Sequence, residues 1–126
     1  MQRVLVRNLS RDSVQPVAAR YCGSFTCRLR GMTFRRSLAA QDALLLVQAS
    51  DSRLESSIHM LGVLVDLAVV WINSTNEVVD VRLAYRWRSV YLPQRPARYV
   101  LEMHAERLDD FRVGDRVSIE EVGADY

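Results

Sequence analysis

The most persistent apolar run in the chain is Leu67-Ala68-Val69-Val70-Trp71-Ile72, six consecutive residues without a polar position. Its β-branched and aromatic content predicts the strongest strand of the molecule. Asn73-Ser74-Thr75-Asn76-Glu77 supplies turn residues, and Val78-Val79-Asp80-Val81-Arg82-Leu83 then alternates, so the pattern predicts a β-hairpin. Val4 to Val6 between Arg3 and Arg7 predicts a first strand. Val14 to Tyr21 predicts a second, with Pro16 placing it at an edge or a strand start. Ala43 to Val47 fits a buried strand, Ser50 to Ser57 is polar and loop-like, Ile58 to Met60 is a short strand, and Gly62 marks a bend. Residues 84–96 form a long connection ending in Pro93-Gln94-Arg95-Pro96. Ala97 to Met103 and Arg116 to Glu120 are the last strands.

Helical signals are brief. Ser24 suits an N-cap, Phe25 and Leu29 stand one turn apart, and Gly31 falls where a C-cap glycine belongs, which predicts a short helix over 24–30. Ala105 to Phe111 predicts a helical turn with Leu108 facing inward, followed by a tight turn at Val113-Gly114-Asp115. Many short strands with one or two short helices predict a mainly β fold, a small single-domain β-sandwich or barrel over residues 1–126. The longest apolar run is far too short for a membrane span and the N-terminus lacks a signal-peptide core, so a soluble, cytoplasmic protein with no membrane association is expected.

Composition removes some chemistry. All seventeen basic residues are arginine. Without lysine there is no Schiff-base lysine, pyridoxal-phosphate aldimine or Walker-type phosphate loop. The net charge of +2 conceals blocks of +6 over residues 1–50, −4 over 51–80, +5 over 81–101 and −5 over 102–126. Such blocks either cancel as neighbouring strands or polarise the surface. Cys22 and Cys27 are five residues apart. On a helix that spacing puts them on different faces and no second pair completes a zinc site, so two small buried thiols are expected.

Several segments together are characteristic. Arg28 to Arg35 reads Arg-Leu-Arg-Gly-Met-Thr-Phe-Arg, Met60 and Asp66 precede the hairpin, Pro96 to Glu102 reads Pro-Ala-Arg-Tyr-Val-Leu-Glu, and Val113-Gly114-Asp115 follows. In this order, over roughly residues 2–121, they resemble the family known as domain of unknown function 192. The resemblance implies a jelly-roll-like β fold with no established activity. This chain departs from the family pattern at Ile58-His59-Met60-Leu61, where a Trp-Met-Lys-Asn stretch is usual and His59 takes roughly the Trp position.

Four arginines, Arg28, Arg30, Arg35 and Arg36, crowd around Gly31, with Leu29, Met32 and Phe34 as apolar anchors. Guanidinium forks suit carboxylates and phosphates. The structural alternative is a solvated helix end with one arginine paired to Asp66 or Glu102. Asp66 opens the strongest strand and needs a hydrogen-bonding partner there. His59 and His104 are the only histidines, and their spacing forms no metal motif. Tyr85-Arg86-Trp87-Arg88-Ser89-Val90-Tyr91 interleaves arginine with aromatic residues, as single-stranded nucleic acid binders do.

The leading expectation is a binding module for an anionic small ligand or a protein partner. Arg35, Arg36, Arg86 and Arg88 would be the recognition groups, with His59 and Asp66 near a pocket. A second is a hydrolase or isomerase using Asp66 and His59, and a third is single-stranded nucleic acid binding through the 85–98 loop with Arg95 and Arg98. No assembled catalytic set, cofactor or metal site is expected.

Overall fold

The computed structural model describes residues 2–33, 37–88 and 90–122. In chain order the elements are β1 (Arg3–Asn8), β2 (Val17–Cys22), α1 (Phe25–Arg30), β3 (Ala43–Ser52), β4 (Ile58–His59), β5 (Leu67–Ile72), β6 (Val78–Ala84), β7 (Val90–Tyr91), β8 (Ala97–His104), a 3-10 helix (Ala105–Asp110) and β9 (Val117–Val122). Among the described residues, seven strands form one sheet in the order β6-β5-β8-β3-β2-β1-β9, and β4 pairs with β7 in a second, two-stranded sheet. Neighbouring strands of the large sheet run antiparallel except β2 and β3, which are parallel and joined by a connection containing α1.

The large sheet curls until its two edges approach. Val78 N–H donates to Asp115 O at 2.9 Å, Val117 N–H to Asn76 O at 3.0 Å, and Gly114 N–H to Val78 O at 2.9 Å. Gly114 makes this turn at a φ of 95°, where a side chain would be strained. The result is a mainly β half-barrel with two short helices, as the strand pattern predicts. Closing the edges also satisfies backbone groups that open edge strands would leave bare.

Burial on both faces explains why the central strands lack alternation. Ala43, Leu45 and Val47 of β3 join Val70, Ile72, Leu101 and Phe111 inside the curl. Leu44 and Leu46 point the other way and pack with Val69, Trp71, Val100, Met32, Met60 and Val63. The outer face is covered by the 31–33 turn and the β4–β7 pair. The Trp71 indole N–H ties that cover down by donating to Ser56 O at 2.7 Å. β3 runs further than expected, to Ser52, because its exposed polar end still pairs with β8 at Ser52 and Ala97 after a register shift.

Charge blocks meet in space at one edge. Basic β1 lies beside acidic β9, with Arg7 and Glu120 3.6 Å apart. Such an exposed pair contributes little stability but removes repulsion. Buried Asp80 matters more. It accepts hydrogen bonds from Val81 N–H and Gln94 N–H and from the Arg82 guanidinium, which also stacks 5.6 Å above the Trp71 ring. Asp80→Ala leaves those donors unmet, so a loss on the order of 3 kcal/mol is expected from the urea midpoint. A change under about 1 kcal/mol would mean that Asp80 does not hold residues 92–94 in place.

Candidate functional site

The register across β5, β8, β3, β2 and β1 lines up Val69, Glu102, Leu44, Arg20 and Arg3 in one row on the outer face. Two features of that row need a physical reason. Glu102 is 4% exposed in a strand buried on both faces. Its Oε1 has no hydrogen-bond partner among the described residues. Burial pushes its pKa from 4.5 up to about 7. Arg3 and Arg20 lie directly opposite each other, an arrangement of like charges that costs stability. Asp42 lines the pocket they share, and its Oδ2 accepts the Ala39 N–H at 3.0 Å.

The segment above the row is built by local sequence. Ser24 caps α1 by accepting the Cys27 N–H at 3.2 Å, and Gly31 ends it at φ 49°, ψ −126°, a conformation that favours glycine. No residue of α1 is fully buried, and its apolar contact with the outer cluster is the half-buried Cys27. Phe25 and Leu29 are exposed, and of the expected anchors only Met32 is buried; Phe34 lies outside the described residues. What holds α1 is a disulfide between Cys22 and Cys27 together with Arg28, whose Nη1 donates to Gly23 O at 2.6 Å and Val47 O at 3.2 Å.

The two cysteines are therefore not free thiols. The expectation fails because Cys22 ends β2 rather than lying on the helix. The turn at Gly23 and Ser24 brings the two Cα atoms to 5.6 Å, a normal distance for a disulfide. Arg28 is likewise a structural residue, bonded to backbone carbonyls rather than left for a ligand.

Two cavities open beneath this segment, with Arg30, Gly31 and Thr33 lining both. The larger, about 470 Å³, is a groove bounded by Arg20, Ser24, Thr26, Cys27 and Leu44. Neither Arg20 nor Arg30 has a carboxylate partner among the described residues. The smaller, about 40 Å³, is lined by Glu102 and His59 among apolar Met32, Leu46, Ile58 and Val63. A Cβ at Gly31 would lie 3.6 Å from Glu102 Oε1, so the missing side chain brings this backbone close to the carboxyl. The His59 Nε2 lies 3.4 Å from Leu29 O. The His59 Nδ1 is buried and has no hydrogen-bond partner among the described residues.

The other sequence candidates lie elsewhere. Arg35 and Arg36 fall outside the described residues. Asp66 is not part of the His59 cavity; its Oδ1 accepts the Arg86 N–H at 2.9 Å and pins the 85–88 turn to the start of β5. The Arg86 and Arg88 side chains are exposed, with Arg88 6.0 Å over the Tyr85 ring. Trp87 is exposed at φ 63°, a strained conformation for a bulky residue. Arg98 does not join them on a basic face, since its Nε donates to Gln48 O and its guanidinium stacks on Tyr99. His104 caps the 3-10 helix, its Nδ1 accepting the Glu106 N–H.

A sequence model of domain of unknown function 192, described as an uncharacterized ACR, matches residues 6–119. The chain belongs to the DUF192 family. It is 38% identical over 97 residues to a UPF0127 protein of Thermococcus gammatolerans, covering 75% of this chain and 61% of that one. A UPF0127 protein of Pyrococcus furiosus is 30% identical over 112 residues, 87% of this chain and 93% of its own. The match thus spans less than two thirds of the Thermococcus relative.

Two solved structures share the DUF192 chain's fold. A Sinorhizobium meliloti protein provisionally described as a transcription regulator superposes with a TM-score of 0.79 at 20% identity, covering 93% of this chain and 92% of that one. A Novosphingobium aromaticivorans protein of unknown function gives 0.75 at 16% identity, with 92% and 83% covered. At those identities the likeness concerns architecture alone.

Glu102 makes the DUF192 chain's stability depend on pH. Its folded pKa, about 7, lies above its ordinary 4.5, so between those values the folded state binds more protons than the unfolded one. Stability therefore falls as pH rises through that window, by on the order of 3 kcal/mol once the carboxyl is fully ionised. Urea midpoints measured at about pH 5 and pH 8 should differ in that direction, and Glu102→Gln should flatten most of the difference.

Proposed function

We propose that this DUF192 protein is a binding module for a small oxyanion-bearing ligand, a carboxylate or phosphate, seated in the groove between Arg20 and Arg30. The observation that carries the reading is a pair of guanidinium groups without carboxylate partners among the described residues, lining one groove with the hydroxyl residues Ser24, Thr26 and Thr33. Guanidinium forks and hydroxyls are what an oxyanion needs. The reading keeps the ligand class expected from the sequence and moves the site to different arginines. Arg86 and Arg88 belong to a separate, Asp66-pinned turn.

The groove depends on the disulfide, because Cys27 is part of its wall and α1 has no fully buried residue. Among the described residues no helix is long and apolar enough to cross a membrane. The cytoplasmic location expected from the sequence rests on those short apolar runs, whereas the Cys22–Cys27 bond favours an oxidising compartment.

Calorimetric titration of the oxidised protein with inorganic phosphate and with propionate tests the site. At least one probe should bind, and Arg20→Ala or Arg30→Ala should each weaken it by about tenfold or more, the loss of one charge-assisted contact. Both side chains are at least partly exposed, so both variants should fold. No binding of either probe to the unaltered protein would overturn the assignment.

A further inference from the structure

The small cavity beside the groove holds two buried polar atoms without a hydrogen-bond partner among the described residues, Glu102 Oε1 and His59 Nδ1. Orphaned polar atoms in a native interior are uncommon and call for a partner. In addition, no arginine among the described residues lies within ion-pair distance of this carboxyl. Arg28 and Arg30 line the helix side of the same cavity, yet neither comes within ion-pair distance of Glu102, and Arg28 is bonded to Gly23 and Val47 carbonyls.

The chemistry of the missing partner is narrow. It must donate to the carboxylate, carry positive charge, and enter a cavity of about 40 Å³. A primary ammonium is a compact charge with three N–H donors and suits these demands, whereas a hydroxyl is neutral and has a single donor. A metal ion is poorly served, because among the described residues no third His, Cys, Asp or Glu joins these two.

From this we infer that the cavity between Gly31, His59 and Glu102 is an ammonium subsite, so the ligand of the Arg20–Arg30 groove carries a primary amine as well as its oxyanion. The inference rests on the groove reading and extends it. The two subsites are neighbours, with Arg30, Gly31 and Thr33 lining both, and Glu102 and Arg20 flank Leu44 in the cross-sheet row. Two strand spacings separate those residues, roughly 9–10 Å at their backbones, a gap that a short amino acid or aminoalkyl phosphate and an extended arginine can bridge. Gly31 lets this happen. Its φ of 49° disfavours any side chain, and a Cβ there would stand in van der Waals contact with the carboxyl, 3.6 Å from Oε1.

Paired probes that differ only by the amine separate this inference from the reading beneath it. Calorimetry on the oxidised full chain at about pH 8, where Glu102 is ionised, would compare ethyl phosphate with 2-aminoethyl phosphate and propionate with 3-aminopropionate. The amine-bearing member of at least one pair should bind about tenfold tighter or better, as expected for a buried charge-assisted contact. Glu102→Gln, which keeps shape and removes charge, should bring the pair to within about twofold without weakening the amine-free probe. Equal binding within both pairs would overturn the ammonium subsite while leaving the oxyanion groove standing, with the cavity holding water only. An amine preference that survives Glu102→Gln would also overturn it. If none of the four probes binds, the groove reading fails and the subsite with it.

Discussion

The structure depends on a sheet whose middle strands must be buried on both faces. β3, β5 and β8 carry apolar residues in both directions, so curling the sheet satisfies only its inner face. The outer face needs a separate lid, and this chain makes one from small pieces: the 31–33 turn, the β4–β7 pair and the loop carrying Ser56. Such pieces cannot fill a face as a long helix would. Met32, Met60 and Val63 plug the centre over Trp71, but toward β2 the cover is α1, which has no fully buried residue and is held by Cys22–Cys27 and Arg28. The groove and the small cavity lie where the apolar lid gives way to this polar tether.

That geometry accounts for Glu102. On an apolar strand a carboxyl would normally be replaced or paired, because ionising it in a low-dielectric interior is costly. Here it faces the backbone of Gly31, across a cavity that also contains an imidazole nitrogen without a partner among the described residues. Groups whose environments shift them toward neutral pH and leave them unpaired concentrate at sites that work. The like-charged neighbours Arg3 and Arg20 lie in the same row. Two separate sources of local instability within a few strands of each other favour a binding surface over a structural accident.

Much of the fold is legible in the sequence because its signals are local. The Leu67–Ile72 run, the Asn73–Glu77 turn, the Ser24 cap and the Gly31 stop each depend on neighbours a few residues away, and each appears in the structure. The site is less legible because it is made by register. Nothing near Arg20 in the chain says that Leu44 and then Glu102 will lie beside it. The Cys22–Cys27 bond escapes for a local reason: helical spacing separates the two residues, while the turn at Gly23 breaks the helix geometry and brings them together. Leu29 misleads because a one-turn apolar pair implies a buried face only when the helix packs on something. Glu102 itself carries a sequence signal. A glutamate inside the otherwise apolar Val100-Leu101-Glu102-Met103 stretch is unusual enough to stand out by composition alone.

The central claim is that Glu102 is buried, unpaired and turned toward a ligand cavity. Carbon-13 NMR titration of its side-chain carboxyl in the ligand-free, oxidised protein tests this most directly. The expected midpoint is near 7, well above the ordinary 4.5, because burial opposes ionisation. A midpoint at or below 4.5 would mean that a partner or solvent already stabilises the carboxylate, and would contradict the claim.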